Sequence, residues 1–189
     1  MQKNIKLIIE ESSKTQKLCE ALAPQIEQAA NLIADAFKNN NKILIAGNGG
    51  SASQATHIAA EFTGRYKIKR KGMPAISLAS DLSAITAISN DYGFDSVFER
   101  QVEALGNEGD ILITLSTSGN SPNIIKAVEK AKKSGIGVIT LLGKDGGKLK
   151  NKSDVEIIIP SNNTPRIQEA HLMILHIICE LVEKKLFGK

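Results

Sequence analysis

Two apolar segments of the chain each run directly into a loop rich in glycine and serine. Residues 42–46 precede Gly47-Asn48-Gly49-Gly50-Ser51, and residues 110–115 precede Ser116-Thr117-Ser118-Gly119-Asn120-Ser121. Continuous apolar runs are typical of parallel strands that are covered on both faces. Each loop leads into a helical pattern, so its N–H groups and hydroxyls lie at the positive end of a helix. The pattern predicts an α/β fold with two cradles for one phosphate, and hence a sugar phosphate ligand.

The order of the patterns predicts a doubly wound five-stranded parallel sheet with an N-terminal helical pair. Strands are expected at 42–46, 74–78, 110–115, 136–141 and 154–159, with helices between them. Apolar periodicity over residues 2–20 and a proline at Pro24 predict the two N-terminal helices. With 42% hydrophobic residues, the chain suits one domain over residues 1–189, of which residues 1–40 form these helices.

Two helix starts are marked by their residue types. Asp81 is placed to cap a helix that runs to about Asn90, and Ser121-Pro122 combines a capping serine with proline at the first helical position. The last helix is expected over residues 164–186.

The first loop has other interpretations. Glycines also serve plain strand-to-helix turns. Gly47, Gly49 and Ala52 formally satisfy the dinucleotide pattern G-x-G-x-x-A, but the acidic residue expected about 20 residues later is missing, because Asp81 comes too late. No Gly-Lys-Ser/Thr follows, which excludes a Walker A loop. The hydroxyls of the second loop exceed what a turn requires and favour phosphate binding.

The net charge and the two cysteines indicate which binding partners and which cellular location to expect. The net charge is +4, but the one dense basic stretch, residues 67–71, lacks interleaved aromatics beyond Tyr66 and is predicted to be a solvated loop. We therefore expect no nucleic-acid partner. Cys19 and Cys179 have no C-x-x-C spacing and fit small core residues in a reducing compartment. No apolar segment predicts a signal peptide or membrane span, so the expected location is the cytoplasm.

Two helices carry candidate chemical groups. His57 and Glu61 are four residues apart, which puts them on one helix face, and we expect that face to look toward the phosphate. Such a pair can bind a divalent cation, and its carboxylate can take a proton from a carbon beside a carbonyl. A plain surface pair is the alternative. In the last helix, Gln168, His171 and His176 lie among apolar residues and need partners if buried; spacing does not choose between the two histidines.

The chain resembles the bacterial phosphoheptose isomerases of the SIS-domain superfamily over essentially its whole length. The segments that carry the resemblance are the two loops, His57-Ile58-Ala59-Ala60-Glu61, Thr63-Gly64-Arg65-Tyr66, Asn90-Asp91-Tyr92-Gly93-Phe94, Gly143-Lys144-Asp145-Gly146-Gly147 and Arg166-Ile167-Gln168-Glu169. Each segment alone also fits other SIS proteins, whereas the set is specific. The resemblance implies a flavodoxin-like sheet and an aldose–ketose isomerase that converts sedoheptulose 7-phosphate to D-glycero-D-manno-heptose 7-phosphate.

The resemblance also implies roles for particular positions. Phosphate contacts fall on Ser51, Ser116, Thr117, Ser118 and Ser121, and further substrate contacts on Asn48, Gly49, Gly50, Glu61, Arg65, Asn90, Asp91 and Gln168. One zinc ion per subunit is implied at His57, Glu61, Gln168 and His176, with Glu61 as base and His176 as acid in an enediol mechanism. A tension follows, because Glu61 cannot be a tight ligand and a free base at once.

The family implies a homotetramer with sites at subunit junctions. Apolar positions in residues 2–37 need a partner surface, and we expect them to pack against other subunits. Rival hypotheses are a non-catalytic SIS protein such as an initiator-associated regulator, a pentose phosphate isomerase and a dinucleotide enzyme. The intact Glu61 and His176 argue against the first of these. The resemblance does not say whether the product serves lipopolysaccharide core or capsule.

Overall fold

The computed structural model describes residues 1–188 and consists of one parallel five-stranded sheet with helices on both faces. The strands follow the order β2-β1-β3-β4-β5, and every pairing is parallel. They are β1 (Ile43–Gly47), β2 (Ala75–Ser77), β3 (Ile111–Ser116), β4 (Gly137–Leu142) and β5 (Val155–Ile158). The helices are α1 (Gln2–Leu18), α2 (Ala23–Lys38), α3 (Gly50–Thr63), α4 (Leu82–Tyr92), α5 (Val97–Leu105), α6 (Pro122–Lys133) and α7 (Thr164–Phe187). The predicted doubly wound fold is confirmed, with the strand order of flavodoxin-like sheets.

Strand β1 explains why its apolar run is continuous. Ile43 and Ile45 belong to the core shared with α2, α3 and α7, whereas Leu44 and Ala46 belong to the core shared with α5 and α6. Successive side chains of a strand point to opposite faces, so a strand covered on both sides needs apolar residues at every position. The chain order reverses between β1 and β3, and ligands of such sheets bind at the carboxyl ends of strands at that point.

The two predicted helix starts have different outcomes. Asp81 caps α4 as expected, since its carboxylate accepts a hydrogen bond from the N–H of Ala84 at 3.0 Å. Ser121 occupies the cap position of α6, but the prediction that its side chain caps the helix is wrong. The Ser121 hydroxyl instead lies 3.5 Å from that of Ser116. It therefore points along the second loop, where it is available to a ligand.

The N-terminal helices differ from each other in how far their apolar residues are covered by the rest of the chain. The apolar residues of α2, including Ile26, Ala30 and Ile33, are buried within the same chain against α7 and the sheet. Helix α1 instead leaves large apolar side chains 48–59% exposed, namely Ile5, Leu7, Ile8, Ile9 and Leu18. Only α1 thus offers the unpartnered face that the pattern predicted.

The basic stretch at residues 67–71 is not a uniformly solvated loop. The side chain of Arg70 is 1% exposed and pairs with Glu183 of α7. A guanidinium can be buried in this way only when its charge and donors are matched. Among the helices of residues 1–188, none is long and apolar enough to cross a membrane.

Candidate active site

The two loops meet at the carboxyl ends of neighbouring strands. Gly47 at the end of β1 is in register with Leu115 near the end of β3, so the glycine loop (residues 47–51) and the serine loop (residues 116–121) emerge side by side. A reciprocal pair of amide hydrogen bonds, each 2.9 Å, joins Asn48 to Asn123 in the first turn of α6. The starts of α3 and α6 therefore lie together, at the edge of the sheet where such folds bind anions.

Close backbone approach explains two glycines in these loops. A Cβ at Gly47 would lie 2.6 Å from the carbonyl oxygen of Ser51, in the first turn of α3. Gly119 has a φ of +64°, and a Cβ there would collide with the backbone of Gly146. The serine loop is further shaped by its own hydroxyls, because Ser116 Oγ accepts from the N–H of Gly119 at 3.1 Å and Ser118 Oγ accepts from that of Asn120 at 3.2 Å.

Three expected substrate contacts lie outside this pair of loops. Asn90 and Asp91 are exposed near the end of α4, and their side chains hydrogen-bond to each other at 2.8 Å. Arg65 is exposed just after the end of α3. Within residues 1–188, none of the three hydrogen-bonds to either loop through its side chain. Their expected role remains a prediction.

Helices α3 and α7 pack side by side and run in the same direction. The candidate residues of α7 therefore lie beside either the start or the middle of α3. At the start of α3, the amide of Gln168 lies against Gly50, 2.8 Å from where a Cβ would stand, and Gln54 Nε2 donates to the Gln168 carbonyl at 2.8 Å. Two turns further along α7, His176 faces His57, with ring centroids 5.0 Å apart. Gln168 thus belongs with the loops and His176 with the middle of α3.

His57, Glu61 and His176 form a cluster that fits a metal ion. Their candidate ligand atoms all lie within 4.8 Å of one another, and His57 Nε2 is 3.1 Å from Glu61 Oε1. Two imidazoles and a carboxylate are a ligand set that suits zinc. Glu61 and His176 come together within one protomer, so this part of the site needs no neighbouring chain.

The structure distinguishes the two histidines of α7. His171 is fully buried, and its Nε2 lies 3.0 Å from the carbonyl oxygen of Leu142 at the end of β4. Burial lowers the pKa of His171 to about 4, so it stays neutral and serves the core. His176 is half-buried in the cluster, where burial and the nearby His57 lower its pKa. A neutral imidazole at pH 7 can both accept and donate a proton, which His176 is placed to do.

The His57–Glu61 face points toward α7 rather than toward the loops of its own chain, contrary to expectation. His57 is seven residues and Glu61 eleven residues beyond Gly50, which corresponds to about 10 Å and 16 Å along α3. Spacing within a helix defines the face but not which neighbour that face meets. The packing of α7 decides the neighbour here.

Three residues near the cluster were missed by the sequence analysis. The Tyr66 ring stacks on the imidazole of His176, with centroids 5.6 Å apart and an angle of 19° between planes. Arg70 and Glu183 form the buried ion pair beside it. One signal was present for Glu183, a carboxylate within an apolar helix face, which must find a partner if buried.

Comparison with known proteins agrees with this architecture. A family model described as the SIS domain matches residues 9–143. Phosphoheptose isomerase of Helicobacter pylori (strain P12) is 56% identical over 168 residues, which cover 89% of this chain and 88% of the relative. The solved phosphoheptose isomerase of Neisseria gonorrhoeae has a TM-score of 0.91 and 43% identity, covering 97% of this chain and 98% of that one.

A second solved structure gives the same result. The phosphoheptose isomerase of Francisella tularensis has a TM-score of 0.92 and 39% identity, again covering 97% of this chain and 98% of that one. Both the sequence and the fold are therefore similar across nearly the full length. The chain belongs to the SIS-domain family and, within it, to the phosphoheptose isomerases.

Proposed function

We propose that this enzyme converts sedoheptulose 7-phosphate to D-glycero-D-manno-heptose 7-phosphate by moving a proton between C1 and C2. The observation that carries the proposal is the cluster of His57, Glu61 and His176, which brings a carboxylate and a neutral imidazole within 4.8 Å of each other. Family membership selects the substrate class. A non-catalytic SIS protein has no need of this pair of groups, so the regulatory alternative is disfavoured.

The phosphate binds at the two loops. Ser51, Ser116, Thr117, Ser118 and Ser121 offer hydroxyls, and the starts of α3 and α6 offer backbone N–H groups with the favourable end of each helix dipole. Asn48, Gly49, Gly50 and Gln168 border this cradle and contact the sugar, as do Arg65, Asn90 and Asp91 in the assembled site. Binding there is remote from the reacting carbons, so it holds substrate and transition state alike.

Glu61 and His176 carry the proton transfers on the open-chain sugar. The Glu61 carboxylate takes a proton from C1 of the ketose, and the electron pair of that C–H bond forms the C1–C2 double bond of an enediol. His176 gives a proton to the C2 oxygen and removes the one on the C1 oxygen. The double bond then reopens as the C1 aldehyde forms, and Glu61 returns its proton to C2.

The donor set of the cluster fits one zinc ion per subunit. His57, Glu61 and His176 would hold the ion, with Gln168 as a fourth ligand. When bound, such an ion acts as a Lewis acid that stabilises negative charge on the sugar oxygens. The imidazole of His57 lies beside Glu61, with Nε2 3.1 Å from Oε1. With an ion bound, Glu61 would either have to release it to act as the base, or the role of the ion would be mainly to position the sugar.

The cradle and the cluster of one active site come from two protomers. Glu61 lies about 16 Å from Gly50 along α3. The heptose phosphate has eight bonds between C1 and phosphorus. Three extended residues have nine backbone bonds and reach about 10 Å, so the sugar phosphate is no longer than that. An extended heptose therefore covers only part of the backbone distance to that chain's Glu61, which favours a cluster supplied by a neighbouring chain. Gln168, which stands at the loops, likewise joins the cluster of a neighbouring chain.

A homotetramer supplies that neighbour. The exposed apolar side chains of α1, namely Ile5, Leu7, Ile8, Ile9 and Leu18, form the surface that pairs protomers. Sedimentation of the purified chain checks this, and a fully active monomer would remove both the tetramer and the shared site from the proposal.

The enzyme works in the cytoplasm, at the start of the synthesis of nucleotide-activated heptose for lipopolysaccharide core or capsule. Both cysteines, Cys19 and Cys179, are buried and free, as suits a reducing compartment. Burial raises the pKa of the Cys179 thiol to about 12, which makes it inert.

A deuterium experiment tests the reaction itself. The protein is incubated with sedoheptulose 7-phosphate in D₂O, with and without added Zn²⁺, and the product is analysed by NMR. The enediol route predicts that part of the aldose 7-phosphate carries solvent deuterium at C2, because the proton held by Glu61 can exchange with D₂O before it is returned. No aldose under either metal condition would refute the proposed activity.

A further inference from the structure

The chain between α3 and β2 is fastened to α7 by one buried carboxylate. Glu183 accepts hydrogen bonds from three consecutive backbone N–H groups, those of residues 66–68, at 2.9, 2.8 and 2.9 Å. Arg70 Nε donates to the same carboxylate at 2.8 Å, and both side chains are 1% exposed. Burial alone would raise the pKa of Glu183, but these four donors hold it below its usual value. The carboxylate is therefore charged and fully engaged.

The rest of the Arg70 guanidinium fixes the last turn of α3. Nη2 donates to the carbonyl of Glu61 at 2.9 Å, and Nη1 donates to those of Phe62 at 2.8 Å and Gly64 at 3.1 Å. Carbonyls in the last turn of a helix have no partner within the helix, so this arginine replaces the missing donors. The turn that carries Glu61 is thereby bonded, through Arg70, to Glu183 of α7.

The segment between α3 and β2 also holds the Tyr66 ring against His176, the second proton-transfer group. Tyr66 stacks on the His176 imidazole at 5.6 Å between centroids, and His57 meets the same imidazole edge-on at 5.0 Å. The imidazole is thus confined on two sides. Without Tyr66, one face of His176 would lose its neighbour and the ring would rotate more freely about its side-chain bonds.

Stability alone gives little reason for this arrangement. Replacing a buried ion pair by well-packed apolar residues is often neutral or stabilising, because taking both charges from water is costly. What Arg70 and Glu183 add is a single relative position of α3 and α7, set by directional bonds. These are the two helices that carry Glu61 and His176.

We propose that Tyr66, Arg70 and Glu183 are positioning residues that hold the His176 imidazole and the Glu61 carboxylate in reacting geometry. The inference rests on the proposed function, because it takes Glu61 and His176 as the groups that move protons. It adds three residues that touch no substrate. Their effect is on the cluster and not on the phosphate loops, which lie at the opposite end of α3.

The Tyr66 variants give the main test. Tyr66→Leu removes the stacked ring and should lower kcat about tenfold, the lower range for partners that orient a ligating histidine, with KM for sedoheptulose 7-phosphate unchanged. Tyr66→Phe keeps the ring and should restore kcat to within about twofold. The matched control is Lys69→Met, which removes an exposed charge from the same segment and should change neither constant.

A binding measurement gives a readout other than turnover. Zn²⁺ affinity of the metal-free tetramer, measured by competition with a chromogenic chelator, should fall about tenfold in Tyr66→Leu and remain near the original value in Tyr66→Phe. Arg70→Lys keeps a positive charge beside Glu183 but cannot donate hydrogen bonds to all three carbonyls. It should therefore lower kcat and Zn²⁺ affinity as Tyr66→Leu does. Glu183→Gln tests the carboxylate of the ion pair, and thermal denaturation establishes whether this variant folds. If it does not fold, Arg70→Lys and the Tyr66 variants test the positioning role without it.

The outcomes separate this inference from the proposed function. Loss of activity in Glu61→Gln and His176→Ala, together with normal kcat and Zn²⁺ affinity in Tyr66→Leu and Arg70→Lys, would overturn the positioning role alone. Normal activity in Glu61→Gln would overturn the assignment of Glu61 as the base, on which the proposed mechanism depends. A Tyr66→Leu enzyme with raised KM and unchanged kcat would also contradict positioning, since it would place Tyr66 at the substrate.

Discussion

The two ends of helix α3 are built in different ways. Its start belongs to two loops in which short-range features do the work, namely backbone N–H groups, hydroxyls and a few glycines. Beyond its middle lies a cluster made of side chains from distant parts of the sequence, with His57 and Glu61 on α3 and His176 on α7. The comparison teaches that residues adjacent in sequence can build the proposed anion site, whereas the proposed proton-transfer pair requires two helices to be set against each other.

The largest effect is expected from the cluster. Glu61→Gln and His176→Ala should each lower kcat by at least about 10², the lower end for a positioned acid or base. KM should change little, because the phosphate loops are untouched. Steady-state kinetics with sedoheptulose 7-phosphate checks this, with Glu180→Gln as a matched carboxylate control one turn after His176. Near-normal turnover in Glu61→Gln would show that the base has been misassigned.

This difference between the two ends also explains what the sequence could and could not predict. The strands, the sheet class and both loops follow from continuous apolar runs and from residues adjacent in sequence. The choice of His176 over His171 did not follow, because both lie on one apolar helix and only the packing of α7 puts His171 under β4. Arg70 was likewise assigned to solvent, since its partner Glu183 is 113 residues away.

A second prediction concerns the structural histidine of α7. The pKa of His171 is about 4 in the folded protein and about 6.5 when unfolded. The unfolded chain therefore binds more protons between these values, and the stability of the fold falls as pH drops through this window. The loss from this group should be about 2 kcal/mol at pH 5. In His171→Gln, the free energy of unfolding measured with urea should fall less steeply as pH drops. An unchanged dependence on pH would exclude His171 as the source of the decline.

A smaller effect is expected at the serine loop. Ser118→Ala removes one hydroxyl from the proposed phosphate site and should raise KM about tenfold, in line with a hydrogen bond to a charged group. The effect on kcat should be smaller, because uniform binding does not favour the transition state. Ser134→Ala, at the opposite end of α6, is the control. If affinity for both substrate and inorganic phosphate were unchanged in Ser118→Ala, the phosphate would have to bind elsewhere.

Mixing of inactive variants tests most directly whether the two ends of one α3 serve different active sites. Ser118→Asp puts a negative charge in the phosphate loop, and Glu61→Gln disables the cluster. If each site joins one chain's loops to another chain's cluster, subunits exchanged between the two variants create intact sites, and activity should return to about one quarter of normal for random pairing across a two-fold interface. Glu61→Gln mixed with His176→Ala should recover nothing, because both defects lie in the same cluster. The shared site would be contradicted if subunit exchange were verified and the mixture of Ser118→Asp and Glu61→Gln were still no more active than either variant alone.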